Sequence, residues 1–197
     1  MTVYLTSDEH IDHSNIIKYC NRPFKDINHM REEMINRHND RVAQDDDVWH
    51  LGDFCLNKVN IEHILKRLNG RHKLICGNHD KCHPCHKSGH KLIQYYLDAG
   101  FVSVDREIML QIEGLGNVKL SHMPYANDSH HDARYIEWRP KVTEEDLLLH
   151  GHVHEKWKIR GKAINVGVDV WDFRPVSIQE IIDTLLLDAA VLNTNNA

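Results

Sequence analysis

Apolar residues come along this chain in short runs, and the runs alternate with stretches of helical spacing. Runs at 3–6, 48–51, 73–76, 101–104, 108–112, 118–121, 147–150 and 163–168 have strand length and are flanked by polar or turn-forming residues. Between the first two, Asp26 stands where it would cap a helix whose apolar face is Ile27, Met30, Met34 and Ile35. A second helical face, made by Ile61, Ile64, Leu65 and Leu68, stops at Asn69-Gly70. Gly114-Leu115-Gly116-Asn117 lies between two alternating runs as a hairpin turn, and Arg160-Gly161 marks another. A last helix is expected from an N-cap at Ser177. The alternation predicts an α/β (α+β) fold. No repeat or linker breaks the pattern, so one domain over 1–192 with a disordered polar tail at 193–197 is expected.

Composition narrows the functional classes. The 24 Lys and Arg against 29 Asp and Glu give a net charge of −5, which disfavours stable binding of duplex nucleic acid. An apolar fraction of 41% argues against a disordered chain, and no apolar run approaches the roughly 20 residues of a membrane span. A strand directly after Met1 leaves no room for a signal peptide, so a cytoplasmic protein is expected, with its five cysteines as thiols. Cys82-x-x-Cys85, near His83, His86 and His90, offers only two thiolates at zinc spacing; a mobile polar loop is the preferred reading and a structural zinc the alternative. The 17 histidines are the anomaly. His29, His38, His63 and His72 are expected on solvated helix faces or turns, and His50 and His150, each ending an apolar run, in the core.

The remaining histidines show an order. Five apolar runs each lead into metal-type ligands: Asp8 and His10 after the first, then Asp53, then Asn78-His79-Asp80, then His122, then His152-x-His154. In open α/β sheets, ligands gather outside the carboxyl ends of the strands, so five such ends can converge on one pocket. Asp8, His10, Asp53, Asn78, His122, His152 and His154 supply seven N and O donors without a thiolate. That set suits two divalent cations of the Mn, Fe, Zn, Ni or Co type, with Mn favoured in vitro, over an all-oxygen Mg or Ca site.

The ordered set Asp8-x-His10, Gly52-Asp53, Gly77-Asn78-His79-Asp80, His122 and Gly151-His152-x-His154 resembles the calcineurin-like metallophosphoesterase superfamily. The stretches 13–24, Val168-Asp169 and 173–177 resemble a small bacterial and phage branch of it. The resemblance implies a four-layer α/β/β/α sandwich of two mixed β-sheets. It also implies that Asp8, His10 and His154 bind one metal, that Asn78, His122 and His152 bind the other, and that Asp53 bridges them. His79 would then protonate the leaving group and Asp80 would orient its imidazole. The implied reaction is in-line attack on phosphorus by a hydroxide bridging the metals.

The substrate is less defined by the residues. His13, Arg22 and Arg174 are the candidate substrate contacts, since Arg suits bidentate phosphate recognition. The segment 124–140, with Asn127, Asp128, His130, His131, Arg134 and Trp138, is expected to face the substrate. The expectation is a small phosphorylated partner of nucleotide type and phosphodiester rather than monoester hydrolysis, with a homo-oligomer compatible. The alternatives are a phosphomonoesterase, a nuclease on short single strands, or, in another class, a metal-dependent binding module.

Overall fold

A computed structural model describes residues 1–125, 135–141 and 147–195. In chain order the elements are β1 (Val3–Thr6), α1 (Ser14–Tyr19), α2 (Ile27–Asn39), β2 (Asp47–His50), α3 (Ile61–Leu65), β3 (Arg71–Ile75), α4 (Ile93–Asp98), β4 (Ser103–Asp105), β5 (Glu107–Ile112), β6 (Gly116–Ser121), β7 (Leu147–His150), β8 (Ile159–Arg160), β9 (Ala163–Asn165), β10 (Val176–Ser177) and α5 (Ile178–Asn195). They form a mixed α/β fold with two five-stranded mixed sheets, ordered β10-β1-β2-β3-β4 and β5-β6-β7-β9-β8. In the first sheet β1 to β4 run parallel and only β10 is antiparallel. In the second, β6, β7 and β9 are parallel, flanked by the antiparallel β5 and β8.

Strand periodicity explains how the sheets meet. Successive residues of a strand point to opposite faces, and along β3 Leu74 joins the cluster under the helices while Ile75 joins a second cluster shared with the other sheet. That second cluster brings Leu5, Trp49 and Leu51 against Val118, Leu120, Leu149 and Ile164. The outer face of the first sheet is covered by Ile35 of α2, Ile61, Ile64 and Leu65 of α3, and Tyr96 of α4. Asp26 caps α2 by accepting the His29 N–H at 2.9 Å. Ser177 and Glu180 form a reciprocal capping box at the start of α5, with Ser177 N–H donating to Glu180 Oε2 at 3.0 Å.

Several elements depart from the sequence pattern. The 163–168 run breaks after Asn165, because the buried Asn165 amide donates to the main chain at His154 and Trp157 and draws the chain away from the sheet. Residues 13–24 contain the short helix α1, which the run pattern did not indicate and whose Ile16 packs with Phe24, Met30 and Met34. α5 runs to Asn195, where the polar run from 193 had suggested a tail. His38 and His72 are buried rather than solvated, each 4% exposed. No helix among the described residues is long and apolar enough to cross a membrane.

Candidate metal centre

The carboxyl ends of β1, β2 and β3 open on the same edge of the first sheet, and those of β6, β7 and β9 on the same edge of the second. Ser7 pairs with Gly167 just past β1 and β9, which draws the two edges together. The turns that follow are tight and left-handed. Asp8, His10, Asp53, His152 and His154 have φ of +58°, +49°, +56°, +71° and +51°. Each such residue costs about 1–3 kcal/mol for a non-glycine side chain, and such costs concentrate at functional sites. Two glycines allow the turns to touch: a Cβ on Gly77 would lie 2.3 Å from Asp53 Oδ1, and one on Gly151 2.0 Å from Ser7 Oγ.

These turns gather the ligand-type atoms at two adjoining points. Asp8, His10 and His154 form one group able to hold a metal ion, and Asp8, Asp53 and His122 form another. Asp53 Oδ2 lies between them, 3.5 Å from His10 Nε2 and 3.5 Å from His122 Nε2. Asp8 Oδ1 stands 3.8 Å from His10 Nε2 and 3.7 Å from His154 Nε2. Asn78 Oδ1 is 3.2 Å from His122 Nε2, and the His152 ring lies 5.3 Å from that of His122. Asp8 Oδ1 and His10 Nε2 are both buried without a hydrogen-bond partner. An unsatisfied buried polar atom costs about 1–3 kcal/mol, and a cation placed between these two atoms would occupy their lone pairs. The donor set therefore fits a metal.

Burial and the Asp53 carboxylate set the charges at the cluster. His122 Nδ1–H donates to the Leu51 carbonyl at 2.7 Å, so its Nε2 faces the cluster. Burial works against charge on Asp53, but His122 and His10 hold its carboxyl well below the ordinary range. The Asp53 charge in turn outweighs burial at His122 and lifts it to about 10. Burial pushes Asp8 up, and it lowers His10 and His152 well below the usual imidazole range, which favours neutral rings.

The other candidates separate. The His79 ring is exposed at the mouth, 5.4 Å from the ring of His10, and its main-chain N–H donates to Asp53 Oδ1 at 2.8 Å. His13 lies beside both, its ring 5.4 Å from that of His10 and 6.4 Å from that of His79. Asp80 does not orient the His79 ring. Its carboxylate accepts main-chain N–H groups of Asp53 and Gly77 at 2.8 Å and of Phe54 at 3.2 Å, which locks the β2 and β3 turns together. Burial and the Asp53 charge push Asp80 up to about 7, against the pull of those amides.

Arg22 is not open to a substrate: its guanidinium is fully buried, pairs with Asp169 at 2.8 Å and donates to the carbonyls of Asp8 and Glu9. Arg174 pairs with Glu180 of α5 at 3.1 Å and takes no part in the cluster. Cys82, Cys85, His83 and His86 form no metal-type group among the described residues; His86 Nε2 and Cys85 Sγ instead contact the Asn78 carbonyl. Of the 124–140 segment, Trp138 packs edge-on against His83, and Asn127, Asp128, His130, His131 and Arg134 lie outside the described residues.

Sequence reasoning gave no role to three groups that position the cluster. Asn165 holds the His154 turn. Asp169 anchors Arg22 and stands 3.7 Å from His154 Nδ1. Cys20 Sγ is 3.1 Å from the same nitrogen. The sulfur can accept the Nδ1 hydrogen bond and leave Nε2 facing Asp8, with the Asp169 charge close enough to favour that tautomer.

No protein-family model matches the chain. It is 33% identical over 193 residues to the gene 66 protein of Mycobacterium phage L5, with 91% of this chain and 92% of that protein aligned. The chain belongs to the family of that phage protein. The gene 66 protein of Mycobacterium phage D29 is 30% identical over 196 residues, covering 93% of this chain and 96% of that one. An uncharacterized protein of Methanocaldococcus jannaschii, MJ1445, is 31% identical over 199 residues, covering 98% and 96%. Among solved structures, the protein of unknown function AQ665 from Aquifex aeolicus matches with a TM-score of 0.67 at 27% identity, over 93% of this chain and 98% of that one.

Proposed function

We propose that this protein is a dinuclear metal-dependent phosphoesterase acting on phosphodiesters of nucleotide type. We assign its two sheets and their helices to the four-layer metallophosphoesterase sandwich. The reading rests chiefly on one observation: a single oxygen, Asp53 Oδ2, is equidistant from the Nε2 atoms of His10 and His122 at 3.5 Å. A carboxylate oxygen between two imidazoles is the arrangement a bridging ligand needs. Asp8, His10 and His154 would hold one ion, Asn78, His122 and His152 the other, and Asp53 would join them. Bound there, two ions of the Mn, Fe, Zn, Ni or Co type supply Lewis acidity to a phosphoryl oxygen and lower the pKa of a water.

The chain's own groups would do the rest. Asp80 fixes the separation of the two ligand turns through three main-chain N–H bonds. His79, exposed at the mouth and tethered to Asp53 through its N–H, stands where a leaving oxygen would take up a proton. The strained, buried ligands are held in place before any substrate arrives, so little reorganisation is required. A bound cation would also allow a chain of net charge −5 to handle an anion.

The test is a metal-reconstituted panel of p-nitrophenyl phosphate, bis-p-nitrophenyl phosphate, cyclic nucleotides and short oligonucleotides. Diester hydrolysis abolished by chelation and restored by Mn²⁺ is expected. His79→Asn should reduce kcat by about 10²–10⁴ with the melting temperature unchanged. Silence on every ester after metal loading, with binding of metal intact, would overturn the enzymatic reading in favour of a metal-dependent binding module.

A further inference from the structure

Beside the candidate centre lies a cleft of about 380 Å³, between the segment after β2 and the segment after β3. Leu56, Val59 and Leu92 line it, together with Lys58, Lys81 and His86, and no carboxylate does. A site of this size and mixture suits a small organic ligand. Asn78 separates the cleft from the centre: its side-chain oxygen meets His122 in the centre, and its main-chain carbonyl meets His86 Nε2 at 3.0 Å in the cleft wall. Lys81 directly follows His79-Asp80, and its N–H donates to the buried Tyr96 hydroxyl at 2.8 Å, which fixes the turn. The cleft wall at Lys81 thus lies two residues along the chain from His79, the group proposed to protonate the leaving oxygen.

Its chemistry selects the occupant. Val59 is 70% exposed, an apolar wall left without a partner in the fold. Among the described residues Lys66 pairs with Glu62 and Lys73 with Asp47, whereas Lys58 and Lys81 have no carboxylate at ion-pair distance. Lys58 Nζ instead lies 5.1 Å over the Tyr95 ring. Two uncompensated ammonium groups beside an apolar wall match a ligand with a flat ring and a phosphate.

We infer that this cleft is a subsite for the leaving portion of the substrate, a nucleotide unit whose base packs on Leu56, Val59 and Leu92 and whose phosphate meets Lys58 and Lys81. The inference rests on the phosphoesterase reading of the centre, and it sharpens the substrate class to a linear diester that releases a nucleotide, as against a cyclic nucleotide or a simple ester.

Two measurements separate the cleft from the centre. Calorimetry of the full chain in chelator, with adenosine 5′-monophosphate as probe, should show binding that weakens about tenfold in Lys58→Ala/Lys81→Ala, the loss expected for charge-assisted phosphate contacts. Adenosine should bind both proteins equally and more weakly. With metal restored, the ratio of kcat/KM for a 5′-phosphorylated dinucleotide to that for bis-p-nitrophenyl phosphate should fall by the same factor in the double variant. Equal nucleotide affinity in the two proteins overturns the cleft proposal, whatever the centre does. Lysine-dependent nucleotide binding in a protein that hydrolyses no ester supports the cleft and overturns the phosphoesterase reading.

Discussion

Arg22 carries its guanidinium to a carboxylate 147 positions away, and that partner decides its role. Its side chain is 0% exposed and that of Asp169 2%. Breaking a pair this deeply buried by removing one partner costs about 3–5 kcal/mol. Arg22→Ala is accordingly expected to lower stability by about that amount, and Asp169→Asn by less, since the amide retains one acceptor. Urea denaturation of metal-free protein measures both. An Arg22→Ala protein of wild-type stability with a raised KM would restore Arg22 to the substrate. From the sequence, Arg22 read as functional because its residue type suits phosphate, and Asp80 because the resemblance implied that it orients the His79 imidazole. Only the fold shows that main-chain carbonyls and Asp169 claim the first, and main-chain N–H groups the second. Asp8, His10, Asp53 and His122 were legible because each follows an apolar run directly, and strand ends converge by topology alone.

The turns at the strand ends carry the conformational cost of the site. Five ligand-type residues at positive φ lie in three turns, and the hydrophobic pattern gives no sign of it, because φ is set by how closely the turns approach. The pattern located the long strands well, since alternation along β5 and β6 or burial on both faces of β1 and β3 leaves a strong signal. It missed β8 and β10, each two residues long, whose pairing depends on a neighbour rather than on their own composition. His154 tests the cost directly, because truncation to Ala and to Gly removes the same imidazole contacts and differs only in the Cβ. The left-handed conformation costs a Cβ-bearing residue about 1–2 kcal/mol relative to glycine. In metal-free protein, His154→Gly should therefore be more stable than His154→Ala by about that amount, although both remove the same ligand. Equal stabilities in urea would mean that the turn relaxes without the imidazole and stores no strain.

Across the whole molecule, histidines that serve no metal make stability depend on pH. His38, His50, His72 and His150 are buried, and burial pulls each from the ordinary 6.5 down to about 3. Three of them cluster far along the sequence from one another, which is why helical spacing at His38 and a strand start at His72 suggested solvent instead. His50 Nδ1 lies 2.6 Å from Glu9 Oε1, and His50 Nε2 lies 3.0 Å from His72 Nδ1. Burial raises Glu9 to about 8. With all three neutral, the bonds run one way: the Glu9 hydroxyl donates to His50, His50 to His72, and His72 Nε2–H points at the Leu68 carbonyl at 3.5 Å. The signs then follow from which state binds more protons. Below 6.5 the unfolded chain protonates its histidines while the folded chain does not, so their contribution is complete above 6.5 and is lost as pH falls toward 3. Glu9 acts oppositely: its contribution is complete below its ordinary 4.5 and is lost as pH rises through 8. Between 4.5 and 6.5 these four histidines, joined by His10 and His152, outnumber the raised carboxyls Glu9, Asp8 and Asp80, and the histidines prevail. Urea midpoints in chelator should therefore be highest near pH 6.5, falling below it as the unfolded chain protonates its histidines and above it as Asp80, Glu9 and His122 hold protons that the unfolded chain releases. His72→Asn keeps an acceptor for His50 but removes one titrating ring, and it should reduce the acid slope by about 1.4 kcal/mol per pH unit. An unchanged slope would mean that the folded protein already carries a proton on His72, and the neutral chain from Glu9 would have to be abandoned.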